Sequence, residues 1–388
     1  MQLEILLAIL GVLTFTANIA SLMLGIMVYG NIRKQLRVAD KPYMPSVDLI
    51  VPCRGNEPNL ENNILAILSQ KYPEYRITFV VDSKEDPAYS VIEKAIGNGS
   101  ARARILLSET EGSTGKINAL TTGVKHSNAE VLAFADSDIQ PPENWLRKLV
   151  APLIDTKIGA TTGFRWHFPE KGGFASILRS AWNAVGIDAL ANERANFVWG
   201  GSMAIRRKIF DNLRIVEKWQ GQISDDYVVT REVKAAGYVI KFIPSCISPT
   251  IGDCRMKELM EWTTRQISIV RTHGRPLWNF AFTSYTYFNV MALVGLAAIP
   301  LASLLWNGWI SVSLLLSGIP LGVAKNMVRL RTIESTIPSN ENRFGISRVR
   351  FALASLVVPW VIWYNLFKSI FVTHISWRGR TYKLVSQD

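Results

Sequence analysis

Long apolar runs mark both ends of the chain, while the middle alternates short buried runs with mixed helical stretches. Leu3 to Tyr29 is almost wholly apolar. It is longer than a signal-peptide core and lacks a basic leader and a small-residue cleavage site, so residues 1–30 predict a membrane helix. Arg33, Lys34 and Arg37 follow it and place what comes next in the cytoplasm by the positive-inside rule. Residues 31–45, ending in Asp40 to Pro45 with its two prolines, read as a linker.

In the middle, Val47–Val51, Ile77–Val81, Arg104–Leu107 and Val131–Ala135 are apolar runs of strand length. Pro58–Gln70, Pro87–Ile96 and Thr114–Lys125 carry helical spacing between them. Strands and helices alternating over short links call for a mostly parallel, Rossmann-like α/β sheet covered on both faces, here over 46–254. Beyond the fourth strand the pattern is mixed. Ile158–Gly163 is strand-like, Gly173–Glu193 helical, and Phe197–Ile205 reads as a strand carrying a glycine pair, while Ser224-Asp225-Asp226-Tyr227 opens a helix to Ala236.

Residues 255–283 combine an amphipathic helix, Met256–Thr272, with aromatics gathered at Pro276–Phe282, as at a bilayer interface. Apolar stretches at Phe288–Trp306, Ile310–Ala324 and Phe351–Val372 make 284–374 a C-terminal transmembrane region, followed by a basic tail, 375–388. Three crossings there would leave the tail outside, against the charge rule. One stretch is therefore expected to be re-entrant or to lie in the interface, and Pro359 points to the last.

A net charge of +12 does not imply nucleic acid, because Lys and Arg form no single stripe with interleaved aromatics. They flank the apolar segments: Lys325, Arg329 and Arg331 after one, Arg343, Arg348 and Arg350 before the last. That distribution favours anionic lipid headgroups as a partner. Three cysteines and four histidines show no zinc or disulfide spacing, which fits a reducing compartment.

The candidate chemistry lies just past the strands. Asp136 and Asp138 follow the fourth strand, Asp82 the second, and Pro52, Arg54 and Glu57 the first, all at the edge where open α/β sheets bind ligands. Two carboxylates one residue apart suit Mg²⁺ or Mn²⁺ and thereby a diphosphate. Lys116 stands at a helix start, a poor place for a cation unless a phosphate lies there. Gly200 and Gly201 beside Trp199 would let a ligand approach the backbone, or simply mark a bulge. Of Asp225 and Asp226, one has an ordinary place at a helix start and the other is free for chemistry.

Several short motifs in order then resemble a known family: Gly55-Asn-Glu-Pro58, Asp86-Pro87-Ala88, Gly115-Lys116-Ile117-Asn118, Asp136-Ser137, Ser224-Asp225-Asp226-Tyr227 and Ile375-Ser376-Trp377-Arg378. From Val47 onward the chain resembles the GT-A fold glycosyltransferases of family 2, and more narrowly the ceramide glucosyltransferase-like membrane enzymes. The resemblance implies a GT-A catalytic domain between N- and C-terminal transmembrane helices, a UDP-sugar donor and a membrane lipid acceptor. It implies that Asp82 meets uracil, that Asp136 and Asp138 hold metal and diphosphate, and that Asp226 is the general base with Asp225 beside it. The family's (Gln/Arg)-x-x-Arg-Trp element is degenerate here: Arg265 is kept, Ser268 and Ile269 stand for Arg and Trp, and Arg271 is the substitute cation. Trp199, Gly200 and Gly201 are expected beside the sugar or acceptor. Rival functions are a processive polysaccharide synthase, a polyprenyl-phosphate sugar transferase, or an idle membrane protein binding nucleotide or anionic lipid.

Overall fold

The computed structural model describes residues 2–37, 42–97, 102–109, 115–337, 346–377 and 380–384. Asp40, Lys41, Thr114, Arg343 and Arg378, used in the reading above, lie outside the described residues.

The first helix, α1, runs Gln2–Gln35. The sheet begins with β1 (Val47–Pro52), β2 (Tyr75–Val81), β3 (Ala103–Leu107) and β4 (Val131–Ala135), connected by α2 (Leu60–Leu68), α3 (Pro87–Ile96) and α4 (Gly115–Lys125). These four strands are mutually parallel in the order β3-β2-β1-β4. Val47, Leu49 and Val51 of β1 face one core and Ile50 the other; the same split holds in β4, with Val131, Ala133 and Ala135 against Leu132 and Phe134. Two buried faces explain why β4 is apolar throughout and β1 is apolar but for Asp48.

Beyond β4 come α5 (Trp145–Val150), β5 (Ile158–Phe168), α6 (Phe174–Asn183), α7 (Gly186–Leu190), β6 (Ser202–Arg206), α8 (Arg207–Asn212), α9 (Ile215–Trp219), α10 (Asp225–Ala235) and β7 (Val239–Ile251). They extend the sheet to seven strands, β3-β2-β1-β4-β6-β5-β7, with β6 antiparallel to both neighbours. The expected strand at Phe197–Ile205 is shorter than its sequence suggests. Trp199 to Gly201 form a turn, and β6 starts only at Ser202. A side chain at Gly200 would run into the Asp225 carboxylate, and one at Gly201 into Asp136 and Trp199. The glycines therefore let the backbone pass between the acids.

The chain ends in α11 (Met256–His273), α12 (Arg275–Ala298), α13 (Gly308–Leu316), α14 (Gly318–Glu334), α15 (Arg348–Phe371) and a hairpin of β8 (His374–Trp377) and β9 (Arg380–Lys383). Four helical stretches, Gln2–Gln35, Arg275–Leu304, Gly308–Glu334 and Arg348–Phe371, are long and apolar enough to cross a membrane. The first three bundle together. Thr14 bonds Tyr287 at 3.0 Å, Lys325 donates to Ser21 at 3.0 Å, and Gly11 lies against Leu314.

Helix α15 behaves differently. It continues unbroken through Pro359 and packs along α6 and α11. Arg350 near its start donates to the Gly172 carbonyl, Asn365 accepts from Thr264 at 2.8 Å, and Arg271 donates to the Val372 carbonyl just past its end at 3.3 Å. Its start thus rests on the α/β domain and its end on α11, while its length also packs against α12 and α14.

Lys325 and Arg329, read as lipid-facing cations, turn inward instead. Both reach Asp188 of α7, at 3.0 and 2.6 Å. Cations drawn out of water need a partner charge, and Asp188 supplies it to both.

Candidate functional site

Because β1, β2 and β4 run parallel, their carboxyl ends release Pro52, Asp82 and Asp136 at one edge. They border a cavity of about 580 Å³ that also takes in Arg54, Glu57 and Lys116. Arg54 lies 3.3 Å from Asp82, and Arg380 of the C-terminal hairpin 3.1 Å from the same carboxylate oxygen. A side chain at Gly115 would collide with the Arg380 guanidinium, so a glycine opens α4 where the hairpin crosses it.

The Asp136-Ser137-Asp138 turn is fixed from below. Ser137 donates to Glu57 at 3.2 Å, and Asn63 donates to the Ser137 carbonyl at 3.0 Å. Glu57 therefore orients the acids from behind. Arg165 of β5 bridges them, placing one guanidinium nitrogen 2.5 Å from Asp136 and the other 2.5 Å from Asp138. Its planar fork matches two carboxylates at once. The same guanidinium lies over the Trp199 ring, 4.8 Å from its centre.

Lys116 sits between two acids, 3.1 Å from Asp136 and 3.2 Å from Asp225. Burial alone would lower its pKa, but the charges of Asp136, Asp225 and Asp226 hold the ammonium well above its ordinary value. Burial would likewise raise Asp136, yet Lys116 and Arg165 keep it below the usual carboxylate range. Asp138 is pushed up, by burial first and then by the neighbouring Asp136 charge, against the pull of Arg165. Asp225 rises to about 6, mainly through burial, with Asp226 and Asp136 adding to it and Lys116 opposing.

Ser224 is the N-cap of α10, its hydroxyl accepting from Tyr227 N at 3.3 Å. Ser224 and Asp226 thus share the Tyr227 amide, which leaves Asp225 without a capping duty. Asp226 accepts from Tyr227 N at 2.9 Å, from the Ser224 hydroxyl, and from Gly200 N at 3.2 Å. Tyr227, buried against it, has its phenol raised well above its ordinary value by burial and by the Asp226 charge.

The predicted residues Pro52, Arg54, Glu57, Asp82, Lys116, Asp136, Asp138, Trp199, Asp225, Asp226 and Arg265 all line this cavity. Gly200 and Gly201 touch its acids. Arg265, on α11, is pushed down to about 10, chiefly by burial and then by Arg165. Arg271 does not join them. Six residues further along the helix it faces another way, and its guanidinium serves the carbonyls of Ile370 and Val372 at the end of α15. Sequence reasoning missed Arg165, His167, Arg179, Trp182 and Arg380. The one available signal was the alternation in Phe164-Arg165-Trp166-His167, which puts two polar residues on one face of the strand and aromatics on the other.

The donor set fits a hard divalent cation, Mg²⁺ or Mn²⁺. Asp136 and Asp138 are carboxylates, and one oxygen of Asp138 is buried without any hydrogen-bond partner. Among the described residues no group of three or more His, Cys, Asp and Glu could enclose such an ion, which leaves its other positions to phosphate oxygens and water.

Mixed-sheet architecture, acids gathered at its edge and long apolar helices agree with the glycosyltransferase resemblance read from the sequence. The family model described as glycosyl transferase family 21 matches residues 13–388, and the chain belongs to that family. It is similar to glycosyltransferase AglE of Haloferax volcanii, 22% identical over 250 residues that cover 61% of this chain and 80% of that protein. It is also similar to ceramide glucosyltransferase 3 of Caenorhabditis elegans, 22% identical over 216 residues, covering 54% and 47%. Among solved structures it is similar to mannosyltransferase PcManGT from Pyrobaculum calidifontis in complex with GDP-Man and Mn²⁺. That likeness has a TM-score of 0.48 and 15% identity, covering 94% of this chain and 98% of the other.

Proposed function

We propose that the protein transfers glucose or galactose from a UDP-sugar to the hydroxyl of a membrane lipid, such as ceramide or diacylglycerol, with inversion at the anomeric carbon. The observation that carries this reading is the extent of the cavity. It runs without interruption from Asp82 and Lys116, past Asp226, to Leu277, Trp278, Ile362 and Leu366 on the apolar helices. A water-soluble donor and a lipid acceptor can therefore meet in one space.

Asp226 takes the proton from the acceptor hydroxyl as that oxygen attacks the sugar. Its hydrogen bonds from Gly200 N and Tyr227 N hold the carboxylate in place, and the raised Tyr227 phenol stays neutral beside it. Lys116 stays protonated and faces the departing diphosphate, where negative charge grows in the transition state. Arg54 and Asp82 border the place proposed for the base. A divalent cation held by Asp136 and Asp138 would supply further neutralisation of the leaving group.

The membrane arrangement belongs to the same proposal. Arg380 pairs with Asp82, so the C-terminal hairpin lies on the same side as the catalytic domain. An even number of crossings after the domain satisfies this. Residues 275–304 and 308–334 cross, and α15 lies in the interface beneath the domain. The N-terminus is then outside and the basic tail inside, as the charge rule requires.

Asp226→Asn tests the chemistry. UDP-glucose affinity is expected to stay at the wild-type value while transfer falls about 10²–10⁴-fold, the range for losing a general base. Wild-type turnover in this variant would contradict the assignment.

A further inference from the structure

The C-terminal hairpin lies at the nucleotide end of the cavity, and the chemistry proposed above gives it no part. Strands β8 and β9 pair with Ile375 opposite Tyr382 and Trp377 opposite Arg380. Their two faces differ. Ile375 is buried and Arg380 and Tyr382 are half-buried, while His374, Ser376, Thr381 and Lys383 are exposed. On the covered face, Ile375 and Tyr382 line the cavity. The Arg380 guanidinium, on that same face, donates to Asp82 Oδ2 at 3.1 Å and sits against Gly115, the first residue of α4. It therefore spans the rim between the end of β2 and the start of α4, the two elements that offer Asp82 and Lys116.

How the hairpin is fastened decides what it can do. At its root, Arg271 donates to the Val372 carbonyl at 3.3 Å, and Leu384 N closes the base on the Thr373 carbonyl at 2.8 Å. Across the rim the fastening is the ion pair of Arg380 with Asp82, whose side chains are 39% and 28% exposed. Ion pairs this open to water contribute little, and a two-stranded hairpin of this length is not stable by itself. Arg54 reaches the same carboxylate oxygen at 3.3 Å, so Asp82 keeps a cation when Arg380 leaves. The hairpin can thus come off the rim while its root stays tied, leaving no charge unpaired in the interior. Closing returns Ile375 and Tyr382 to the cavity wall. A ligand at that end meets those side chains only in the closed arrangement, and so favours closing by mass action. With two guanidinium groups on one carboxylate, the rim carries an excess positive charge, which suits an anionic ligand.

We infer that β8 and β9 form a strap over the nucleotide end of the cavity, latched by Arg380 on Asp82, that opens to admit a nucleoside diphosphate and closes to retain it. The inference rests on the UDP-sugar reading above and adds to it how the donor is held.

The test is amide hydrogen exchange of the full-length protein in detergent, with UDP as the probe, alongside the rate at which UDP leaves. When only the closed strap holds the nucleotide, UDP at about ten times its Kd slows exchange of the β8 and β9 amides about tenfold. Arg380→Gln is expected to release UDP about tenfold faster, the low end for one lost charged hydrogen bond, with Arg380→Lys between it and wild type. Lys383→Gln, which removes a charge from the outward face, is expected to keep the wild-type release rate. UDP that binds wild type without protecting β8 and β9 overturns the strap, whether or not Arg380→Gln folds. A wild-type release rate in Arg380→Gln does the same, as does an equal loss in Lys383→Gln, which would make the effect one of net charge. The transferase proposal is read separately. Retention of UDP by the strap with no label passing from UDP-glucose to lipid contradicts that proposal and leaves the strap standing, whereas a wild type that binds no UDP contradicts both.

Discussion

Asp136, Asp138, Asp225 and Asp226 bring four carboxylates to one cavity, and Lys116 and Arg165 hold three of them through direct ion pairs. The arrangement has consequences for each charge. Arg165 occupies the position between the acids where a cation is needed, so an incoming divalent ion has to compete with it. Arg165→Gln is expected to bind Mn²⁺ about tenfold more tightly than wild type when no nucleotide is present, measured by electron paramagnetic resonance of free Mn²⁺. Equal affinity would mean that the guanidinium does not guard the acids. Asp225 carries a pH signature. Its value in the folded protein is about 6 against an ordinary 3.8, so the unfolded chain ionises first as pH rises, and the folded state loses stability between these values. Asp225→Asn removes that loss: its melting temperature is expected to exceed wild type above pH 6 and to match it below about pH 4. Asp136 and Asp138 were legible because they follow an apolar strand, where a charge has no structural use, and Asp225 and Asp226 because two acids stand together at a helix start. Arg165, His167 and Trp182 were not, because their importance depends on which face of β5 and α6 turns toward the cavity. The degenerate motif around Arg265 offered Arg271 as a stand-in cation, and helical geometry sends it elsewhere.

At the scale of elements, the parallel half of the sheet was readable from apolar runs and short links. The antiparallel insertion of β6 was not, since the glycine turn at Trp199 to Gly201 looks like strand until Asp225 and Asp136 are seen on either side. Helix α15 shows the opposite problem. Pro359 marked it as unusual, but only its contacts with α6, α11 and the Gly172 carbonyl indicate that it follows the domain. The topology built on this has a direct check. Asn307 and Thr381 are both exposed. Asn307→Cys is expected to react with a membrane-impermeant maleimide in intact cells, and Thr381→Cys only after permeabilisation. Labelling of Thr381→Cys in intact cells would require an odd number of crossings after the domain. The Asp188 contact joins the two parts. Asp188→Asn leaves Arg329 and Lys325 without their counter-charge at a largely buried position, a change expected to cost about 3–5 kcal/mol and to lower the melting temperature.

Across the whole molecule, the proposed catalytic acids, the C-terminal hairpin and the apolar helices belong to one cavity, although Asp82 and the Arg380 that pairs with it are 298 positions apart in sequence. Long-range closure of this kind is set by packing and cannot be read from local periodicity. The hairpin illustrates it: the tail entered the sequence reading only through the charge rule and the Ile375 to Arg378 motif, yet Arg380 reaches Asp82. The central claim is that this shared space lets a sugar pass from a soluble nucleotide to a lipid in the bilayer. The most direct measurement incubates the purified protein with radiolabelled UDP-glucose or UDP-galactose, Mn²⁺ and total membrane lipid, and follows the label into the organic-extractable fraction. The account predicts that wild type moves label into a lipid of discrete size and that Asp226→Asn does not. Label appearing in a water-soluble polymer, or reaching lipid equally well with Asp226→Asn, would contradict it.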